Sequence, residues 1–267
     1  MFRKITEEAS LYDHLERKST AEILVEINRE DQQVATVVKE VIPQIERLVE
    51  NIFQRLKSGG RVFYVGAGTS GRLGVLDASE IPPTYGLQDV FIAVIAGGDK
   101  ALRTAVEKAE DNEEAGWNDL LPYHPDDHDS VIGIAASGTT PYVIGALKAA
   151  RSHGLLTACI TSNPDSPVTQ LVDIPVVTVV GPEYVTGSSR MKSGTATKLI
   201  LNMLSTALMI KSGRVEGNRM VNLQPTNHKL TERSIRMLME KLNVPEEKAR
   251  QLLLKYGTVK AVLDNQR

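Results

Sequence analysis

The feature that most constrains this 267-residue chain is a glycine-rich turn set between an apolar run and a helix, at residues 61–86, RVFYVGAGTSGRLGVLDASEIPPTYG. Residues 62–65 are apolar throughout, as in a strand covered on both faces. Gly66, Gly68 and Gly71 shape the turn, Thr69 and Ser70 sit inside it, and a helix is expected over 71–81, stopped by Pro82 and Pro83. A strand feeding such a turn and a helix start builds an anion site. Backbone N–H groups without helical partners converge there, and the helix dipole favours negative charge.

The same letters fit the dinucleotide fingerprint G-x-G-x-x-G, for which Asp99, after the second strand, would be the ribose ligand. Two adjacent hydroxyls, Thr69 and Ser70, suit a terminal phosphate monoester instead. The third strand favours the monoester. It runs into Ala136-Ser137-Gly138-Thr139-Thr140-Pro141, again rich in hydroxyls and again at a helix start. Taken alone, this second loop also reads as an ordinary helix start, with Thr139 or Thr140 as N-cap and Pro141 at the first helical position. In an open α/β sheet both loops lie at the carboxyl ends of strands and can converge on one small phosphorylated molecule.

Around this centre the chain alternates. Strands are expected at 62–65, 90–95, 130–135, 156–161 and 174–179, and helices at 71–81, 100–116, 141–153 and 194–212, with a short turn at 166–172. Short apolar strands joined by helical crossovers give a doubly wound, mostly parallel sheet in a three-layer αβα sandwich. Before it, residues 1–30 read as polar helix with Thr20 as a candidate N-cap, and 32–57 as an amphipathic helix kinked or divided at Pro43. After Gly213 the alternation stops. A turn at Pro225-Thr226-Asn227 precedes helices at 230–242 and at 245–256, the latter with Pro245 at its first position. The organisation read from this is a helical arm (1–51), the α/β domain (52–215) and a small helical appendage (216–267).

A net charge of −2 and 4% aromatic residues argue against a nucleic-acid partner held by bulk electrostatics or stacking. The longest apolar stretch, 199–210, is interrupted by Asn202, Ser205 and Thr206 and is short of the roughly 20 residues of a membrane span. The N-terminus has no apolar core of a signal peptide, so the cytoplasm is the expected compartment. Cys159, the only cysteine, excludes an intrachain disulfide and reads as a small core residue in a strand.

The acidic candidates are Asp77, Glu80, Glu107, Glu110, Asp111, Glu113, Glu114 and Glu183. Glu80 stands at the end of the helix that Ser70 opens, ~15 Å further along its axis. It therefore serves a phosphate held by another subunit, or the helix starts late and folds back, or Glu80 is a surface carboxylate. His124-Pro-Asp-Asp-His128-Asp129 resembles metal-ligand spacing, but no further ligand cluster completes it, and no metal is assigned. A third loop, Gly187 to Thr195, carries Ser188, Ser189, Arg190 and Lys192. It can serve phosphate, a carboxylate, a neighbouring subunit or simple helix capping.

The stretches GAGTSGRLGVLDASEIPPTYG, IAGGDKAL, AVEKAEDNEEAG, GIAASGTTPYV and GPEYVTGSSRMKSGTATKLILNMLSTALMIKSG resemble the N-acetylmuramic acid 6-phosphate etherases, from about residue 4 to about residue 230. The resemblance implies a sugar isomerase (SIS) domain that binds phosphosugars, usually as a pair of domains, hence a homodimer. It implies cleavage of the D-lactyl ether of N-acetylmuramate 6-phosphate to N-acetylglucosamine 6-phosphate and D-lactate, without metal or redox cofactor. In the open-chain sugar the C1 aldehyde acidifies the C2 hydrogen. A base removes it, lactate leaves from C3, and water adds back to the unsaturated aldehyde, so one group must take a proton and another must give one. The family pattern assigns these roles to the glutamate of DASE and the second glutamate of E-x-A-E-D, here Glu80 as acid and Glu110 as base. By analogy with SIS domains, Thr69, Ser70, Ser137, Thr139 and Thr140 donate to the phosphate. Against the family pattern, the C-terminal helical tail is expected to be short. Two other classes stay open: a regulatory SIS module like the animal glucokinase regulatory protein, and a SIS-type sugar phosphate isomerase with Glu183 as base.

Overall fold

Five parallel strands set the frame of the computed structural model, which describes residues 2–223, 225 and 227–266. They are β1 (Val62–Gly66), β2 (Phe91–Ile95), β3 (Ser130–Ile134), β4 (Leu156–Thr161) and β5 (Ile174–Val177), hydrogen-bonded in the order β2-β1-β3-β4-β5. β1, β3 and β4 are buried along their whole length, which is why they read as near-continuous apolar runs. Pro175 lies in the edge strand β5, where a missing ladder donor is tolerated.

Both faces of the sheet are covered. Phe63, Val65, Val131, Ala135 and Cys159 point to one face and share a core with Tyr142, Val143, Ala146 and Leu147 of α6 (Pro141–Ser152). Tyr64 and Ile134 point to the other face, where α3 (Gly68–Tyr85) approaches so closely that a Cβ on Gly74 would lie 3.1 Å from Tyr64. This is the doubly wound, three-layer arrangement expected from the strand–helix alternation.

In the N-terminal part, α1 (Thr20–Glu40) and α2 (Ile42–Lys57) divide at Val41, with Pro43 in the first turn of α2. The cap of α1 is Ser19 rather than Thr20. The Ser19 hydroxyl accepts from the Glu22 N–H while the Glu22 carboxylate accepts from the Ser19 N–H. Residues before it are not a helix. They hold two short 3₁₀ turns, Ile5–Glu7 and Leu15–Arg17.

Two central expectations need correction. Pro82 and Pro83 do not stop α3, which begins earlier, at Gly68, and ends later, at Tyr85. Proline's fixed φ is itself helical, so the chain completes another turn despite the two backbone donors the prolines lack. Residues 100–116 are not one helix. They form α4 (Lys100–Arg103), a 3₁₀ turn Ala109–Asp111 and α5 (Ala115–Asn118). Tertiary contacts override helix propensity here. Arg72 Nε donates to the Leu102 carbonyl, Val106 packs on Gly97, Lys108 is left-handed at φ 61°, and Asn112 Oδ1 accepts from the Glu114 and Ala115 N–H groups.

α7 (Lys192–Lys211) follows β5, and beyond it come a hairpin of β6 (Val215–Glu216) with β7 (Arg219–Met220), then α8 (His228–Leu242), α9 (Glu246–Tyr256) and α10 (Val259–Asp264). Of the expected turn at Pro225-Thr226-Asn227, Thr226 lies outside the described residues, and Asn227 caps α8 by accepting from the Leu230 N–H. Pro245 is the N-cap of α9, one position before the first helical residue. The chain divides into two compact units. One comprises the residues up to Ala78 with Val90–Leu204, the other Ser79–Asp89 with the chain from Ser205 onward. The second has a core of its own, in which Val221, Ile235, Leu238, Ala249, Leu253, Val259 and Val262 are buried.

Candidate active site

The strand order reverses direction between β1 and β3, and a cleft of about 410 Å³ opens there, beyond the carboxyl ends of both strands. Ala67, Gly68, Thr69 and Ser70 line it from the loop after β1, and Ala136, Ser137, Thr139, Thr140 and Pro141 from the loop after β3. The five hydroxyl residues singled out in the sequence therefore share one wall. The volume is in the range of small-molecule sites.

Each glycine of the first loop has its own reason. Gly66 and Gly71 pass so closely that a Cβ on Gly66 would stand 2.7 Å from the Gly71 nitrogen, and one on Gly71 would stand 2.8 Å from the Gly66 carbonyl oxygen. Gly68 instead supplies a positive φ of 52°. The result starts α3 at Gly68, so Thr69 and Ser70 occupy its first turn, where backbone N–H groups have no helical acceptor. Among the described residues the Thr69 and Ser70 hydroxyls make no hydrogen bond to protein.

The second loop ends at Thr140. The expected position holds, with Thr140 as N-cap of α6 and Pro141 first in the helix, but the Thr140 hydroxyl makes no capping bond and is left for the cleft. Ser137 Oγ accepts from both the Thr139 N–H and the Thr139 hydroxyl, at 3.2 and 3.1 Å, which leaves the Ser137 proton available as a donor. Gly138 is at φ 69°, and a Cβ there would meet Ser166 Oγ at 2.1 Å. Two helix N-termini and their hydroxyls face the cleft, and none of the described residues lining it is a lysine or arginine. Helix dipoles and donors, rather than a cation, make this wall receptive to an anion.

Glu110 and Asp111, both exposed, also line the cleft, from the 3₁₀ turn that replaces part of the expected helix. Glu110 thus joins the hydroxyl residues. Glu80 does not line this cleft. It is exposed, near the end of α3, in the segment Ser79–Asp89 that groups with the C-terminal unit. Ser189 lines the cleft as well; in the sequence Asp111 is one of eight acidic candidates and Ser189 one hydroxyl of the loop Gly187–Thr195.

Several of the remaining candidates have structural partners. Asp77 is buried and accepts from the Tyr64 hydroxyl at 3.0 Å, and burial, with Asp77 beside it, pushes Tyr64 well above its usual pKa. Glu183 is buried and accepts from the Lys192 and Ser193 N–H groups at the start of α7, so it is a helix cap. Lys192 is buried in an ion pair with Glu30, which takes it away from any ligand, while Arg190 is exposed. In the His124–His128 segment the notable acid is Asp129, buried against the Arg61 guanidinium. No group of three His, Cys, Asp or Glu among the described residues is placed to hold a metal ion. Cys159 is fully buried, and burial pushes its thiol up to about 12.

A parallel sheet of order 2-1-3-4-5 with two hydroxyl-bearing helix starts at its switch point defines a SIS-domain protein. In agreement, the family described as glucokinase regulatory protein N-terminal SIS domain matches residues 41–151. A phosphoheptose isomerase from Francisella tularensis shares the fold, with a TM-score of 0.58 at 16% identity over 72% of this chain and 100% of its own. Sequence similarity is far closer to two other proteins. N-acetylmuramic acid 6-phosphate etherase of Porphyromonas gingivalis (strain ATCC BAA-308 / W83) is 64% identical over 261 residues, 97% of this chain and 95% of its own. The protein of the same name from Bacteroides fragilis (strain ATCC 25285) is 61% identical over 264 residues, 98% of this chain and 94% of its own. The chain belongs to the N-acetylmuramic acid 6-phosphate etherase family.

Proposed function

We propose that this protein cleaves the D-lactyl ether of N-acetylmuramate 6-phosphate with water, giving N-acetylglucosamine 6-phosphate and D-lactate, in the catabolism of amino sugars recycled from the cell wall. The observation that carries this reading is the meeting of Glu110 with two hydroxyl-bearing helix N-termini in one cleft. The 6-phosphate occupies the wall of Thr69, Ser70, Ser137, Thr139 and Thr140, where helix dipoles and hydroxyl donors meet its charge. Glu110 takes the C2 proton of the open-chain sugar. The C2–H electron pair becomes the C2–C3 double bond as the C3–O bond breaks and lactate leaves, protonated by an acid. Water then adds across the double bond, its oxygen to C3 and a proton to C2.

Glu80 is that acid, supplied by the second copy of a homodimer. Its distance of ten residues from Ser70, ~15 Å of helix, and its exposure support supply from a neighbour. The compartment is the cytoplasm, where phosphorylated sugars are retained. An isomerase reading would need Glu183 as base, and the two backbone N–H groups of α7 hold that carboxylate as a buried cap.

Reaction in H₂¹⁸O tests the chemistry. ¹⁸O at C3 of the product sugar, with none in lactate, is expected, and label in lactate would overturn elimination. Glu110→Gln is expected to slow lactate release by roughly 10³-fold, within the range of general acid–base contributions. Mixing the inactive Glu80→Gln and Glu110→Gln variants tests sharing between copies. Roughly a quarter of wild-type activity should return if each site takes one glutamate from each copy of a two-fold dimer, and none if both come from one chain.

A further inference from the structure

The N-terminal segment before α1 is bonded to the walls of the cleft. Thr6 is buried, and its N–H donates to Asn163 Oδ1 at 3.2 Å. The Asn163 amide nitrogen donates back to Thr6 Oγ1 at 2.9 Å and reaches the carbonyls of Ala136 and Ser137 at 3.1 and 3.2 Å. Asn163 is itself fully buried, after β4. One side chain thereby joins the N-terminal segment to the backbone of the second hydroxyl loop. Four residues on, the Ser10 N–H donates to Thr186 Oγ1 at 2.9 Å and the Ser10 hydroxyl donates to the Tyr184 carbonyl at 2.7 Å. These two acceptors begin the loop that carries Ser189 to the cleft.

We infer that residues 6–10 are a strap that sets the shape of the substrate cleft, with Thr6 and Asn163 as positioning residues for the Ser137–Thr140 phosphate wall and Ser10 as the anchor of the Ser189 loop. This rests on the reading of that wall as the phosphate site. The chemistry favours positioning over mere stability. The Ala136 and Ser137 carbonyls flank the loop whose N–H groups and hydroxyls must point at the ligand, so the side chain that holds these carbonyls fixes the direction of the donors. The Ser162 N–H and the Thr161 hydroxyl also hold the Ala136 carbonyl and the Val168 N–H holds the Gly138 carbonyl, but it is the Asn163 side chain that reaches the Ser137 carbonyl and ties the N-terminal segment to the loop. A buried amide whose two N–H groups are shared among three acceptors and whose oxygen accepts from Thr6 is costly to misplace, and neither Thr6 nor Asn163 lines the cleft itself.

The test is steady-state lactate release and inorganic phosphate binding by the full chain, with thermal stability recorded for every variant. Asn163→Ala should raise KM for the phosphosugar about tenfold, leave kcat within about threefold and weaken phosphate binding in parallel. Thr6→Val should raise KM about fivefold, and Thr6→Ser, which keeps the hydroxyl, should restore it. Val49→Ala, a core truncation in α2, should lower the melting temperature without moving KM. The strap is overturned if Thr6→Val and Thr6→Ser share one KM, or if Asn163→Ala loses stability with KM and phosphate affinity unchanged. Phosphate binding needs no turnover, so the two readings fail separately. A wild type that releases no lactate sinks the proposed reaction, while loss of phosphate binding in Asn163→Ala would still uphold the strap.

Discussion

The two hydroxyl loops line one cleft and are held in different ways. The loop after β1 is fixed chiefly from within, with one outside bond, from the Ala96 N–H to the Gly66 carbonyl. Gly66 and Gly71 touch across five residues, Gly68 takes the left-handed turn, and α3 begins at once. The loop after β3 is fixed from outside. Asn163 holds its carbonyls, Ser166 Oγ presses on Gly138, and the Val168 N–H donates to the Gly138 carbonyl. A locally built loop needs only the right residues in the right order. An externally built loop also needs residues far along the chain. Damage to the first should therefore resist rescue, whereas damage to the second should be repairable at a distance.

The largest effect should follow Gly71→Ala. Its methyl would stand 2.6 Å from Ile95 Cγ1 and 2.8 Å from the Gly66 carbonyl oxygen, and the backbone oxygen cannot move aside. A loss of about 3 kcal/mol in unfolding free energy is expected, with no phosphosugar binding. A fully active Gly71→Ala protein would break the first half of the comparison. Gly138→Ala should cost about 2 kcal/mol, from the positive φ and from overlap with Ser166 Oγ. Adding Ser166→Gly should recover part of that stability and of the affinity, as denaturant melts and KM would show. Failure of any recovery would mean that the second loop too is fixed from within.

Individual hydroxyls should separate by their partners. Ser70→Ala and Ser137→Ala should each raise KM about tenfold, as for a lost hydrogen bond to a charged group. Thr139→Ala should raise it only about threefold, because the Thr139 hydroxyl already donates to Ser137 Oγ. Equal effects at Ser137 and Thr139 would contradict that pairing. The smallest effect belongs to Ser166→Ala. Ser166 Oγ is buried without a hydrogen-bond partner, so its removal should leave the melting temperature unchanged or slightly raised.

The sheet and its helices were legible because their signals are local. Near-continuous apolar runs mark β1, β3 and β4, and Thr140-Pro141 marks the start of α6. The start of α1 was misread by one residue, since Ser19 and Thr20 are equally good caps by chemistry and only the reach of Glu22 separates them. The region 100–116 was misread outright. Its composition favours helix, and only Val106 on Gly97 and Arg72 on the Leu102 carbonyl break it into turns.

The candidate site divides along the same line. Sequence alone determined that two hydroxyl-bearing helix starts lie at carboxyl ends of strands, because strand period, glycine spacing and Pro at the first helical position are properties of consecutive residues; that the two strands are neighbours came from the structure. It also carried the family resemblance that singled out Glu80 and Glu110. Only the tertiary structure decided that the Thr140 side chain makes no capping bond, that Glu183 and Lys192 are committed elsewhere, that Glu110 stands on a turn at the cleft, and that Thr6 reaches the second hydroxyl loop through Asn163. Those outcomes depend on which distant group comes within about 3 Å of a donor or acceptor, and a hydrogen bond of that kind leaves no periodic mark on the chain.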